Sequence, residues 1–334
     1  MNKKKTIRVF EAFAGYGGAS FGLKRCGYKY KVIGMSEIEA TANRILDINF
    51  PEIRNYGDIR TIRERLQTNA DYIPDFDLFT GGFPCQPFSS AGLQQGEKDK
   101  LGRGTLIYEI LQICQIKRPK YILLENVKGF RSKKFEPTRK AIYDQLNEMG
   151  YHIDKKLLNT KDYGIPQNRE RMWIFAYHGD LPKGFSMTPC GKIPEEERPH
   201  LVQFLDKHVP AEVYLSDKQV EHFVEVHSGH GFKEWSVKEP LCFDVYNHKM
   251  KLDAIVNTLT EPQHNITRII EPIHDGKLHI RKLTVQEQFR LMGFEDGELK
   301  IPEEATYNQL SARAGNGWDV HLVGLLLNHI FNQL

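Results

Sequence analysis

Ile7-Arg8-Val9-Phe10-Glu11-Ala12-Phe13-Ala14-Gly15-Tyr16-Gly17-Gly18 decides the fold of this 334-residue chain. Residues 7–13 form an apolar run of strand length that ends in a glycine-rich turn, and residues 19–25 continue as a helical stretch. Strand, glycine turn and helix open a βαβ unit. There the backbone of the turn passes close to a ligand, with the helix N-terminus alongside. The glycines lack the Gly-x-Gly-x-x-Gly spacing of the dinucleotide fingerprint, which argues against a Rossmann oxidoreductase.

The alternation continues outward. Residues 30–35 read as a strand ending at Ser36-Glu37, and residues 38–48 as a helix. Residues 76–80 are a short strand running into Gly81-Gly82-Phe83-Pro84-Cys85. Residues 106–116 are helical, 121–124 form a buried-type strand ending at Glu125-Asn126, and 172–177 are another apolar run. This pattern predicts an α/β fold: a Rossmann-like, doubly wound, mostly parallel sheet with helices on both faces. Ligands bind outside the carboxyl ends of such strands, where residues 15–18, Glu37, Cys85 and Glu125 fall.

Beyond His178 the pattern breaks. Pro182, Pro189, Pro194, Pro199 and Pro210, with the acidic run Glu195–Glu197, read as a boundary, and residues 180–280 show short β-like pieces with weak periodicity. Helical signal returns at residues 284–292, with Thr284 near the N-cap and Gly293 at the end, and again at 320–331.

Composition narrows the function classes. With 40% hydrophobic and 27% charged residues the chain is an ordinary globular protein, not disordered, collagenous or a disulfide-stapled miniprotein. No run of 18 apolar residues predicts a membrane span, and the basic N-terminus leads into a strand rather than a signal-peptide core. The five Cys (26, 85, 114, 190, 242) are scattered without a CxxC pair, which predicts a reducing cytoplasm and no zinc site. Nine of the 13 His lie in 181–280 without metal-ligand spacing, so exposed polar His are expected and no metal. The same segment carries 11 Lys and Arg against 15 Asp and Glu, a net −4, and the rest 35 against 28, a net +7. That division permits a polyanion partner on the larger part without demanding one.

Five side chains point to chemistry. Glu37, after the second strand, is placed to accept from ribose hydroxyls; the plainer reading is a surface Glu beside a turn. Cys85, in a Gly/Pro-stiffened turn, is placed like a nucleophile, whereas Cys26 and Cys114 read as buried core thiols. Residues 89–105 read as a lid or as a plain surface loop. Glu125, following four apolar residues, has the setting of a carboxyl with raised pKa that can donate a proton, or of a solvated capping Glu. Arg169 and Arg171 share a strand face and suit carbonyl or phosphate oxygens, unless they belong to a salt-bridged surface strand.

In order and spacing, Phe13-Ala14-Gly15-Tyr16-Gly17-Gly18, Pro84-Cys85-Gln86, Glu125-Asn126-Val127, Gln167-Asn168-Arg169-Glu170-Arg171 and Gly315-Asn316 resemble the DNA (cytosine-5) methyltransferases of bacterial or phage restriction-modification type. Arg281-Lys282-Leu283-Thr284 with Met292-Gly293-Phe294 is similar to the family's penultimate motif. The resemblance implies sequence-specific transfer of a methyl group from S-adenosylmethionine to carbon-5 of a flipped-out cytosine in double-stranded DNA, with S-adenosylhomocysteine as product. Cys85 would be the nucleophile at carbon-6, Glu125 would meet ring N3, Arg171 the O2 oxygen, and Arg169 would support the site. Phe13, Gly15, Gly17, Glu37, Ile38, Asp58, Ile59 and Asn316 would hold the cofactor. Glu37 would take the ribose and Asp58 the adenine edge. Ser89 and Arg103 in the catalytic loop, and a Thr-Leu element at Thr258-Leu259, would contact DNA.

The resemblance also implies a catalytic and cofactor-binding large domain at 1–178 and a smaller target-recognition domain at 179–280. A connecting hinge would span 281–312, and a C-terminal helix at 313–334 would return to the large domain. A monomer in the cytoplasm at the nucleoid is expected, with a cognate restriction endonuclease acting on the same site without forming a complex. The chain departs from the family at Gly317-Trp318, usually Ser-Val, at Ile38, where many members carry an aromatic, and at Ala91, where some carry a hydroxyl. Two alternatives stand beside this reading. One is a tRNA cytosine-5 methyltransferase, whose Cys-Phe-Thr is matched only as Cys242-Phe243; the other is a catalytically silent DNA-binding homologue.

Overall fold

Strands β1 (Ile7–Ala12), β2 (Tyr30–Ser36), β3 (Leu78–Gly82), β4 (Tyr121–Val127), β5 (Tyr151–Asn159) and, beyond the two-residue β6 (Gln167–Asn168), β7 (Glu170–His178) build the main sheet, in the order β2-β1-β3-β4-β7-β5. These elements come from a computed structural model that describes residues 5–84, 106–264 and 267–334. Strands β1 to β4 are parallel, and β7 is antiparallel to both β4 and β5. The sheet is therefore mixed at one edge. Strands β5 and β7 are joined by a short connection, which admits antiparallel pairing but not a parallel crossover.

Alternation along the strands divides the core into two layers. Ile7, Val9, Leu78, Tyr121 and Leu123 face α1 (Gly18–Lys24) and, from the far end of the chain, the C-terminal helix Val320–Gln333. On the opposite face, Phe10, Ala12, Phe79, Ile122 and Leu124 meet three helices that follow α2 (Ala40–Asn49): α3 (Ile59–Thr68), α4 (Leu106–Lys117) and α5 (Glu136–Glu148). Helix α1 crosses the C-terminal helix at glycine: a Cβ on Gly22 would lie 2.4 Å from a Val323 methyl. Chain direction reverses about β1, with β2 on one side and β3 on the other, so the crevice expected of a doubly wound sheet opens at the carboxyl ends of β1 and β3.

Residues 241–281 contribute a second, antiparallel sheet of β8 (Leu241–Asp244), β9 (Lys249–Met250), β11 (Thr267–Ile270) and β12 (Ile280–Arg281), while β10 (Val256–Asn257) pairs with β6. Helix α6 (Asp217–Gly229), which periodicity did not reveal, joins this sheet through Phe223 and a cluster of Phe232, Trp235 and Phe243. His227 corrects the expectation of exposed polar His. It is 3% exposed, with Nδ1 2.7 Å from His248 Nδ1, and His230 stacks on His248. Burial, with His248 and His230 beside it, holds His227 below the usual imidazole value, as an apolar setting requires.

Helix α7 (Val285–Arg290) starts at a capping box in which Thr284 and Glu287 satisfy each other's backbone N–H groups. Arg281, buried on β12, pairs with both oxygens of Glu287 at 2.8 and 2.9 Å and with Glu271 at 2.6 Å. The Arg281-to-Thr284 motif is thus a brace between the small sheet and the helices that follow. Those are α8 (Tyr307–Asn316) and the C-terminal helix, α9. Among the described residues no helix is long and apolar enough to cross a membrane, and no group of three or more His, Cys, Asp or Glu is placed to hold a metal ion.

Candidate active site

Strand register sets one row of residues across the sheet at its carboxyl end: Gly82 on β3 faces Glu125 on β4, which faces Trp173 on β7. Glu125 lies inside β4 rather than beyond it, because the strand runs on to Val127. Its side chain is buried, with Oε1 2.9 Å from Arg171 Nε. Burial pushes the Glu125 carboxyl above its ordinary value, against the opposing pull of Arg171, Arg169 and a hydrogen bond from the Trp318 side chain. Glu170, between the two arginines in sequence, turns away to Lys128 at 2.6 Å. A carboxyl held this way can share or donate a proton, and Arg171 adds a cation beside it.

Arg169 works through the backbone. It donates to the carbonyls of Leu259 at 3.2 Å, Gly315 at 3.0 Å and Gly317 at 2.7 Å, fastening two remote segments to the main sheet. Gln167 adds to this, donating to Leu291 O at 2.7 Å and accepting from Leu259 N–H at 3.0 Å. The Thr258 hydroxyl donates to Asn168 O at 2.6 Å, and Leu259 is 3% exposed. The Thr-Leu element thus braces its segment against β6, with the Leu259 side chain turned into the core.

Asn126 donates to the Phe83 carbonyl at 3.3 Å, anchoring the chain just before Pro84. Cys85, Ser89 and Arg103, with the expected catalytic loop, lie outside the described residues.

Beyond the carboxyl ends of β1 and β2, beside that crevice, Phe13, Gly15 and Gly17 all have left-handed backbone, with φ of 53°, 56° and 87°. Nothing lies within 4 Å of where a Cβ on Gly15 would be, so the backbone there is open to a ligand. Glu37 is fixed by the N–H groups of Gly15 at 2.8 Å, Ile38 at 2.8 Å and Glu39 at 2.9 Å. Ile38 beside it is 67% exposed, an apolar shelf at the rim. Asp58 caps α3 by accepting from Arg60 N–H at 2.8 Å. Ile59 is buried in the core, which leaves only its backbone for a ligand. Asn316 donates to Glu261 at 2.8 Å. Open glycine backbone, a fixed carboxylate and an exposed apolar side chain together fit a nucleoside.

Two residues that the sequence reading does not assign to the site line it. Tyr16, buried, donates its hydroxyl to the Trp318 carbonyl. Trp318 packs edge-to-face on Trp173, with ring centroids 4.9 Å apart. The available signal was the departure at Gly317-Trp318, a glycine followed by the largest side chain.

The C-5 cytosine-specific DNA methylase family model matches residues 7–332. The chain is 32% identical to the type II methyltransferase M.HaeII of Haemophilus aegyptius, over 99% of this chain and 94% of that protein. It is 30% identical to the type II methyltransferase M.Bsp6I of a Bacillus species, over 98% and 99%. Among solved structures, the Dnmt2 methyltransferase of S. pombe superposes with a TM-score of 0.72 at 22% identity, covering 98% of this chain and 99% of that one, a likeness of fold.

Proposed function

The chain belongs to the C-5 cytosine-specific DNA methylases and is a DNA (cytosine-5) methyltransferase; from that premise we propose that it modifies one short motif in double-stranded DNA through a covalent Cys85 adduct. The observation that carries the proposal is the pairing of the buried Glu125 carboxyl with Arg171 at the carboxyl end of the sheet, beside the strand that leads to Cys85.

Carbon-5 of cytosine is a weak nucleophile. Addition of the Cys85 thiolate at carbon-6 pushes an electron pair into the ring, and Glu125, sharing its proton with N3, accommodates the developing charge. Arg171 holds Glu125 in place and neutralises charge at the neighbouring oxygen. Arg169 keeps the surrounding backbone fixed. Once carbon-5 has taken up the methyl group, loss of its proton expels Cys85 as the thiolate from carbon-6, N3 returns its proton to Glu125, and the aromatic ring is restored. A thiol cannot reach carbon-6 inside a duplex, so the target base leaves the stack.

Enzymes of this family depend on S-adenosylmethionine, and the crevice residues fit it. Phe13, Gly15 and Gly17 would bring backbone close to it, Glu37 would take the ribose, and Ile38 would cover the adenine. Asp58, the Ile59 backbone and Asn316 would complete the pocket. When bound, it supplies the methyl group as an electrophile and leaves as S-adenosylhomocysteine.

Residues 179–280, carrying the antiparallel strands and a net negative charge, would select the sequence. The positive remainder of the chain would attract phosphates. Segment 281–312 would connect the two, and residues 313–334 would return to the large domain. The proposed biological role is a monomeric partner to a restriction endonuclease that acts on the same site without forming a complex. The tRNA alternative rests on Cys242-Phe243, and both side chains are buried in β8. Transfer of labelled methyl to duplex DNA, lost in Cys85→Ala and absent with tRNA, is the expected result. Label in tRNA alone would replace this reading with the alternative.

A further inference from the structure

Trp318 lies against the middle of the row formed by Gly82, Glu125 and Trp173. A Cβ on Gly82 would lie 2.6 Å from Trp318 Nε1 and 3.2 Å from Glu125 Oε2, so both atoms converge on the bare face of that glycine. Gly18 leaves room on another side, where a Cβ would come 3.0 Å from Trp318 Cβ. The indole is held edge-to-face by Trp173, its carbonyl accepts from Tyr16, and the preceding carbonyl accepts from Arg169. The indole nitrogen is the side chain's one donor, and it lies beside the Glu125 carboxyl at the Gly82 face.

Resting on the reading that Glu125 acts on the target base, we propose that Trp318 is a positioning residue: its indole N–H holds Glu125 Oε2 while Arg171 holds Oε1. Two donors on two oxygens fix the plane of the carboxyl, and with it the lone pairs left for the substrate. A purely aliphatic residue at this position has no donor to offer. Arg171 and Arg169 from the β6–β7 segment, Trp318 and, farther off, the Tyr16 hydroxyl are the charged or polar groups facing Glu125 among the described residues.

Trp318→Phe keeps an aromatic ring and removes the N–H. Measured on purified full-length enzyme with duplex DNA, kcat is expected to fall about tenfold, the scale of losing one hydrogen bond to a charged group. KM values for cofactor and DNA should stay within about twofold. The limb of the kcat–pH profile set by Glu125 should move to higher pH, because a donor that favours the ionised carboxylate is gone. In a Glu125→Gln background, Trp318→Phe should cost no more than about twofold, since the two act as one unit. Should Trp318→Phe fail to fold, Gly82→Ala, whose methyl presses on the indole nitrogen, is expected to give the same fall and the same non-additivity.

Wild-type kcat and pH profile in a folded Trp318→Phe enzyme, or an equal loss with and without Glu125, would overturn the inference. A fully active Glu125→Gln would instead remove the reading of Glu125 on which it rests.

Discussion

The ring of Tyr16 occupies the space that a side chain on Gly317 would need: a Cβ there would lie 2.0 Å from Tyr16 Cε1 and 2.4 Å from its hydroxyl oxygen. The same hydroxyl donates to the carbonyl of the next residue, Trp318. Two sites 301 positions apart in sequence are therefore one packing unit. The family's usual Ser at position 317 would collide with this tyrosine, so the departure at Gly317-Trp318 and the residue chosen within the glycine loop explain each other.

Gly317→Ala should destabilise the protein by about 1–3 kcal/mol, the usual cost of forcing a methyl into filled space. Combined with Tyr16→Ala, which empties that space, the loss should be smaller than the sum of the two single losses. Urea denaturation of the three variants measures this. Strict additivity would mean that the two residues do not share the space.

Arg171→Ala removes the cation 2.9 Å from Glu125. Methyl transfer should slow by about a hundredfold, a typical contribution of one group supporting acid–base chemistry. The modified sequence should be unchanged, because Arg171 lies on the main sheet. Sequencing of the methylated product checks both parts, and a changed target motif would place Arg171 in recognition instead.

These effects were unequally legible in the sequence. Strands β1, β3 and β4 are covered on both faces, so they read as continuous apolar runs, and the residues at their ends were located with them. Strand β5 escaped because Tyr151–Asn159 lies at the sheet edge and carries His152, Asp154, Lys155 and Lys156. Helix α3 had a readable signal that went unused: Asp58 as N-cap, then buried Ile59, Ile62 and Leu66 at helical spacing. Helix α6 buries only His227 fully, leaving little period to detect. Arg169 was placed near the site from its spacing to Arg171. Its three carbonyl acceptors come from segments up to 148 residues away, and no local pattern announces such contacts.

Glu11 gives a pH-dependent prediction. It is buried on β1 beneath the start of α1, accepting from the N–H groups of Ala19 at 2.8 Å and Ser20 at 3.1 Å. Burial raises its carboxyl from 4.5 to about 7. The folded protein then keeps a proton that the unfolded chain has already lost in this interval. Stability from this group is highest below the unfolded value, falls as pH rises toward about 7, and levels off above it. The total change is on the order of 3 kcal/mol. Glu11→Gln should flatten that decline in urea denaturation between about pH 5 and pH 7. A decline as steep as the wild type's would assign the pH dependence to other groups.

Base-resolution bisulfite sequencing tests the central claim most directly. The DNA would come from a host that lacks cytosine-5 methylation and expresses either this protein or its Cys85→Ala variant. Protected cytosines confined to one short motif, present with the wild type and absent with the variant, are the predicted result. Unprotected DNA from cells holding soluble wild-type protein, or equal protection with Cys85→Ala, would contradict sequence-specific methylation through Cys85.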